Sequence, residues 1–112
     1  MTTRLTYAIK YVADMQTAVA FHRERLGLTL KFQSPDWSEF ATGETTLALH
    51  LATPERAAGT VELGIGVEDA DIFHSQAAAA GVAFTVPPTP MHGVKLGRFL
   101  DSEGKETSVS GR

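Results

Sequence analysis

The sequence contains no cysteine and no long apolar run, and these two absences exclude several classes of protein. Without cysteine there is no disulfide framework and no thiolate chemistry, so a bound metal would need His, Asp, Glu or Tyr ligands. We expect neither a signal peptide nor a transmembrane segment. The formal net charge is −3 with scattered Lys and Arg, so nucleic acid and membrane surfaces are not expected partners. We expect a cytoplasmic protein.

What the chain does contain is typical of a folded domain. Its 112 residues are 43% hydrophobic and 21% charged, far from the composition of a disordered segment. This length is enough to bury one core but not two independent ones. We therefore expect a single domain over residues 1–112, with one module at 1–52 and a second at 60–112.

The two modules are predicted because the same pattern occurs twice, about 55 residues apart. Asp14 and Asp69 each precede an amphipathic run and can cap a helix, and Gly27 and Gly81 can end those helices in the left-handed conformation. The matched segments are Val12-Ala13-Asp14-Met15 with Leu26-Gly27-Leu28, and Val67-Glu68-Asp69-Ala70 with Ala80-Gly81-Val82. The repeat predicts one helix in each half.

Period-two alternation and turn residues predict eight strands. They fall near 4–11, 28–33, 37–42 and 45–52, then 60–67, 82–86, 96–100 and 105–110, with a proline-rich loop at 87–93. Each half then reads βαβββ. This is an α+β chain in which two open half-barrels form a cleft, with a ferredoxin-like βαββαβ sandwich as the alternative.

The fourth strand shows the alternation most clearly. Leu47, Leu49 and Leu51 should pack under a helix, whereas Ala48 and His50 should face the cleft. Of the other histidines, we expect His22 to be packed with a satisfied ring nitrogen, His74 to face solvent and His92 to lie in the proline-rich loop.

These segments resemble the glyoxalase/bleomycin resistance protein/dioxygenase (vicinal oxygen chelate) superfamily along nearly the whole chain. The resemblance rests on an ordered set of motifs: Tyr11-Val12-Ala13-Asp14-Met15, Phe21-His22, Leu26-Gly27-Leu28, Leu47-Ala48-Leu49, Val67-Glu68-Asp69, Ala80-Gly81-Val82 and Asp101-Ser102-Glu103-Gly104. It implies a homodimer or paired modules, a small-molecule site in the cleft and, in catalytic members, a divalent metal.

Catalytic members of this family place His or Glu at one inward position on each of four strands. The resemblance puts those positions at Tyr7, Ala48, Glu62 and Ser108, of which only Glu62 is a conventional ligand. We therefore expect no cofactor and no stoichiometric metal at the family position. A relocated divalent site using His50, Glu62 and Glu106 is the alternative, although two residues along a strand displace a donor by roughly 7 Å.

Two functions follow from the resemblance. The first is a metal-independent small-molecule binding protein of the bleomycin-resistance type, whose ligand contacts Tyr7, Trp37, Phe40, His50, Glu62 and Ser108. The second is a lyase, isomerase or epimerase related to the glyoxalases, in which Glu62 abstracts a proton and a divalent metal or Tyr7 stabilises the oxyanion. A ring-cleaving dioxygenase and a purely structural or regulatory dimer are the remaining hypotheses.

Overall fold

A computed structural model describes residues 2–112, and it confirms the α+β class and the βαβββ order of each half. The chain forms two compact units, Thr6–Glu62 and Leu63–Arg112, and residues 2–5 belong to the second. The elements of the first half are β1 (Arg4–Val12), α1 (Met15–Ala20), β2 (Thr29–Gln33), β3 (Trp37–Ala41) and β4 (Thr46–Leu51). Those of the second half are β5 (Val61–Gly66), α2 (Ala70–Ala79), β6 (Phe84–Met91), β7 (Val94–Leu100) and β8 (Glu106–Gly111).

The strands have the same order in both halves. In the first half the order is β2, β3, β4, β1, and in the second half it is β6, β7, β8, β5. The first and last strands of each half are therefore adjacent. These pairs, β1 with β4 and β5 with β8, are parallel, whereas β2–β3, β3–β4, β6–β7 and β7–β8 are antiparallel. The parallel pairs require the long crossover that α1 and α2 occupy.

Both helices begin and end as the sequence predicts. The Asp14 carboxylate accepts from the Thr17 N–H at 2.9 Å, and Asp69 accepts from the Ile72 N–H at the same distance. After the helices, Gly27 and Gly81 have φ of 71° and 98°, values that favour glycine. One detail was not predicted: α1 widens into a π-helical turn over Phe21–Arg25.

The core of the amino-terminal unit lies between α1 and one face of its sheet. Buried Val12, Met15, Val19, Phe40 and Leu49 form one apolar cluster there, with Leu47 packed against it. The next residue of the fourth strand, Ala48, belongs instead to a second cluster with Ile9 and Tyr11. The division of β4 into a helix-facing and an opposite side is therefore the one that its alternation predicts.

The carboxy-terminal unit contains one clear departure from expectation. The proline-rich segment is not a loop, because β6 continues to Met91 and only His92 and Gly93, with φ of 50° and 84°, form the turn. Prolines are tolerated because β6 is last in the strand order and pairs only with β7, with register shifts on both sides of Val86.

An aromatic cluster fills the space between α2 and its sheet. Phe73 contacts Phe84 and Phe99 with ring centroids 6.3 and 6.0 Å apart. His74 also packs edge-on against Phe84, at 4.4 Å, so the expectation that it faces solvent is wrong. His22 is packed against Phe40 and bonded through Nδ1 to the Ala18 carbonyl, as predicted. Over residues 2–112, neither helix is long and apolar enough to cross a membrane.

Candidate functional site

A row of aromatic rings crosses three strands of the amino-terminal unit, on the sheet face opposite α1. Strand register produces this row, because Trp37 pairs with His50 between β3 and β4, and His50 pairs with Tyr11 between β4 and β1. The ring centroids are 5.9 Å apart for Trp37 and His50, and 4.9 Å apart for His50 and Tyr11. Tyr7 extends the row at the other side of Trp37, with the centroids 6.0 Å apart. These rings are called the aromatic row below. Tyr7, Trp37 and His50 are half-buried and can contact a ligand, whereas Tyr11 is buried.

Ala48 explains why the aromatic row is continuous. Its neighbours in register are Glu39 on β3 and Ile9 on β1, and its side chain is fully buried. Tyr7 and Trp37 pack against the cluster that contains this methyl group. A larger residue at position 48 would occupy the space that the two rings use.

One end of the aromatic row carries a carboxylate that sequence reasoning missed. Glu39 Oε2 accepts hydrogen bonds from Trp37 Nε1 at 2.8 Å and from the Tyr7 hydroxyl at 3.4 Å. Lys31 Nζ lies 3.7 Å from the other oxygen, Oε1. Burial raises the pKa of the Tyr7 phenol, and the Glu39 charge and hydrogen bond raise it further. Tyr7 is therefore held as a protonated donor.

At the other end, the Glu62 side chain is 4% exposed, and both Tyr11 and Arg56 bind it. The Tyr11 hydroxyl donates to Oε1 at 3.3 Å, and Arg56 Nε donates to the same oxygen at 3.2 Å. Arg56 comes from the connection between β4 and β5, which the sequence marks only as a joining segment. A carboxylate buried this deeply requires such partners.

His50 contributes a directed acceptor near the centre of the aromatic row. Its Nδ1 lies 2.7 Å from the Leu51 carbonyl oxygen, which only accepts, so Nδ1 carries the proton. The neutral ring then presents Nε2 as an acceptor, and the side chain is half-buried. This nitrogen can orient a ligand that carries an N–H or O–H group.

One residue expected at the site, Phe40, lies elsewhere, and another, Ser108, lies in the other unit. Phe40 is fully buried in the cluster beneath α1, on the opposite face from Trp37, because it comes three positions later along β3 and successive side chains alternate. Ser108 belongs to the carboxy-terminal unit, where its hydroxyl donates to the Leu63 carbonyl at 3.5 Å.

The residues at the family's metal positions do not fit a divalent ion. Ala48 has no donor atom, the Tyr7 phenol is a protonated donor to Glu39, and Glu62 is already bound to a guanidinium. Within residues 2–112, no three His, Asp or Glu side chains are grouped so that they could hold a metal.

A surface cavity of about 520 Å³ lies apart from the aromatic row. It is bordered by the start of α1, the β2–β3 turn and Leu51. Its polar groups are engaged locally: Asp14 caps the helix, and the Ser34 hydroxyl donates to the Trp37 carbonyl at 2.7 Å. We place the candidate site at the aromatic row, where ring surfaces and directed polar atoms coincide.

The raised pKa of Tyr7 predicts a specific loss of stability in alkali. Below the ordinary tyrosine pKa of about 10, the folded and unfolded chains both hold the proton, so the Tyr7 contribution is constant. Above it the unfolded chain releases the proton first, and this contribution is lost as the pH rises through the folded pKa. The difference in free energy of unfolding between wild type and Tyr7→Phe, measured with urea, should stay constant from about pH 7 to 9. Above about pH 10 the wild type should lose stability relative to Tyr7→Phe. An unchanged difference at all these pH values would contradict the assignment.

Comparison with known proteins agrees with this architecture. Solved structures with the same fold include methylmalonyl-CoA epimerase from Streptomyces coelicolor, at 17% identity and a TM-score of 0.82, with 99% of this chain and 98% of the other covered. A chain described as an NAD-dependent benzaldehyde dehydrogenase from Legionella pneumophila has 19% identity and a TM-score of 0.77, with 98% of each covered. The epimerase from Mycobacterium tuberculosis has 15% identity and a TM-score of 0.80, with 96% and 87% covered.

These likenesses concern the fold, because the identities are low. A search of curated proteins found no match. The family model described as Glyoxalase/Bleomycin resistance protein/Dioxygenase superfamily matches residues 4–106, which cover most of both modules and the whole aromatic row. The chain therefore belongs to the glyoxalase/bleomycin resistance protein/dioxygenase superfamily.

Proposed function

We propose that this protein binds a planar aromatic small molecule without a metal. The observation that carries the proposal is the aromatic row, in which Tyr7, Trp37, His50 and Tyr11 are in successive ring contact. The three half-buried rings, Tyr7, Trp37 and His50, offer a ligand apolar contact at low cost in side-chain entropy. Their hydroxyl and ring nitrogen atoms supply the few polar contacts that orient a ligand.

The charges near the site favour a ligand of low net charge. Glu39 has Lys31 close to it, and Glu62 has Arg56, so each carboxylate is accompanied by a basic side chain. A ligand with a strong charge of either sign would therefore meet one favourable and one unfavourable neighbour at each end of the aromatic row. Stacking and the hydrogen bond to His50 then dominate the recognition.

The second candidate is a glyoxalase-related lyase or isomerase that uses a divalent metal and Glu62 as the base, with Tyr7 stabilising the oxyanion. The family relation and the fold shared with the epimerases motivate it. The contacts of Glu62 count against it, because Arg56 and Tyr11 occupy Oε1 and the side chain is only 4% exposed, which limits the access of a substrate to the carboxylate. We therefore place it second.

The only tryptophan of the chain, Trp37, lies in the aromatic row and makes the proposal directly testable. A panel of uncharged planar aromatic compounds is the first probe, and methylmalonyl-CoA is the second. In the presence of EDTA, we expect a saturable change in tryptophan fluorescence with at least one compound of the panel. N-acetyltryptophanamide at equal absorbance is the control for optical effects.

The two candidate functions give different titrations. A fluorescence change with methylmalonyl-CoA that appears only after Mn²⁺ or Zn²⁺ is added would favour the isomerase. Failure of a broad panel of planar aromatic compounds, in buffer with EDTA, would reject the binding proposal.

A homodimer and a cytoplasmic location complete the proposal. Val61 and Leu63 alternate along β5 with buried residues and are 53% and 48% exposed, so they form an apolar strip that a second copy can cover. A light-scattering mass of two chains at micromolar concentration supports the dimer, and a mass of one chain opposes it.

The cytoplasm is proposed because a chain without cysteine gains nothing from an oxidising compartment.

A further inference from the structure

The geometry points to Arg56 as an internal replacement for a metal ion: its guanidinium, supplied by the connection between the two modules, neutralises Glu62 and holds it as a positioning residue for Tyr11. This inference concerns the protein without ligand and does not depend on the proposed function. It gives Glu62 a different role from the one that its position in the family suggests, which is a metal ligand or a base.

The burial of Glu62 is the first step. Its side chain is 4% exposed, and an ionised carboxylate is costly to bury without a cation or several hydrogen-bond donors. Catalytic family members meet this need with a divalent metal and its other ligands, whereas Ala48 provides no ligand in this chain. Arg56 Nε at 3.2 Å and the Tyr11 hydroxyl at 3.3 Å provide a cation and a donor to the same carboxylate.

The second step is that Arg56 is held in place by its own backbone. The Thr53 N–H donates to the Arg56 carbonyl at 3.0 Å, and the Arg56 N–H donates to the Thr53 carbonyl and hydroxyl at 3.2 and 3.0 Å. Further along, the Gly59 N–H donates to the Tyr11 carbonyl at 2.8 Å, and the Tyr11 N–H donates to the Thr60 carbonyl at 2.9 Å. The connection is thus fixed against β1 with its guanidinium directed at Glu62.

The third step links the pair to the aromatic row. Tyr11 is 1% exposed, and its ring lies 4.9 Å from the His50 ring. A carboxylate fixed by Arg56 fixes the Tyr11 hydroxyl, and the Tyr11 ring limits the orientation of His50. A divalent ion beside Glu62 would also be repelled by the neighbouring guanidinium, so the arrangement excludes the metal that it replaces.

The test compares variants of the pair in urea unfolding. Arg56→Met removes a cation from beside a buried carboxylate and should raise the unfolding equilibrium constant by about 100-fold, whereas Arg56→Lys should recover part of this loss. For the double variant Glu62→Gln/Arg56→Met, the increase in the unfolding equilibrium constant should be clearly smaller than the product of the increases in the two single variants. Glu55→Gln, an exposed neighbour on the same connection, is the matched control and should change little.

Two further readouts separate this role from general stabilisation. Because Tyr11 contacts His50, Glu62→Gln should shift the His50 ring resonances in NMR spectra, and Glu55→Gln should not. Adding Mn²⁺ or Zn²⁺ to the wild type should leave its thermal midpoint unchanged, which can be measured even if a variant fails to fold.

Three outcomes would overturn the inference. One is an Arg56→Met effect no larger than that of Glu55→Gln. Another is independence of the two sites in the double-mutant cycle. The third is a metal-induced rise in the wild-type midpoint that Glu62→Gln removes. None of these measurements uses the ligand of the proposed function, so the two proposals can fail separately.

Discussion

Replacing Phe40 with alanine is expected to lower the free energy of unfolding by about 3–5 kcal/mol, the range found when a buried aromatic side chain is removed from a core. Phe40 is fully buried and packs with Met15, Val19 and Leu49 between α1 and the sheet. The ring also contacts His22, with centroids 5.6 Å apart. Because a domain of this size is stable by only about 5–15 kcal/mol, the loss is a large fraction of the total.

Urea unfolding followed by circular dichroism measures this effect, and Phe32→Ala is the matched control. Phe32 lies on β2 in the same unit and is 53% exposed, so its removal should change stability by about 0.5 kcal/mol or less. If Phe40→Ala does not fold, Phe40→Leu retains part of the buried volume and should show a smaller loss in the same direction. Equal effects of Phe40→Ala and Phe32→Ala would show that the core is misassigned.

Trp37→Ala is expected to weaken ligand binding by about 30-fold or more, the loss associated with an aromatic hot-spot residue. The indole contacts both Tyr7 and His50, so its removal separates the remaining rings of the aromatic row. It also donates to Glu39 at 2.8 Å, and its loss leaves that carboxylate with fewer donors. Trp37→Phe keeps a ring and should lose less affinity.

Calorimetry with the compound that alters Trp37 fluorescence measures this loss, since the variant itself has no tryptophan. Phe32→Ala again serves as control, because it removes an aromatic residue that lies outside the aromatic row. Unfolding curves confirm that each variant is folded before its affinity is compared. Unchanged affinity in Trp37→Ala would show that the ligand binds elsewhere.

Much of the fold could be predicted from short-range patterns. The Asp14 and Asp69 caps and the glycines that end the helices act within one turn, so reading the sequence was sufficient to place them. The alternation along β4 likewise assigned Leu49 and Ala48 to opposite faces. The proline-rich strand was missed because proline tolerance depends on whether a strand has one neighbour or two.

The candidate site was predicted less completely. Tyr7, Trp37 and His50 were named from the sequence, and all three lie in the aromatic row, but Phe40 was placed with them although it faces the helix. Glu39 could have been found, since it lies two residues after Trp37 on the same strand face. Tyr11 could have been found in the same way from Tyr7, four residues earlier on β1.

The sequence by itself determined the two βαβββ modules and the limits of the helices. It also determined that three of the four family positions have no conventional metal ligand. Each of these depends on residue type or on neighbours a few positions away. Only the tertiary structure decided that Trp37, His50 and Tyr11 form one row and that Arg56 neutralises Glu62. Strand register and the path of a connecting segment bring those groups together, and both are set by packing across the whole unit rather than by any local pattern.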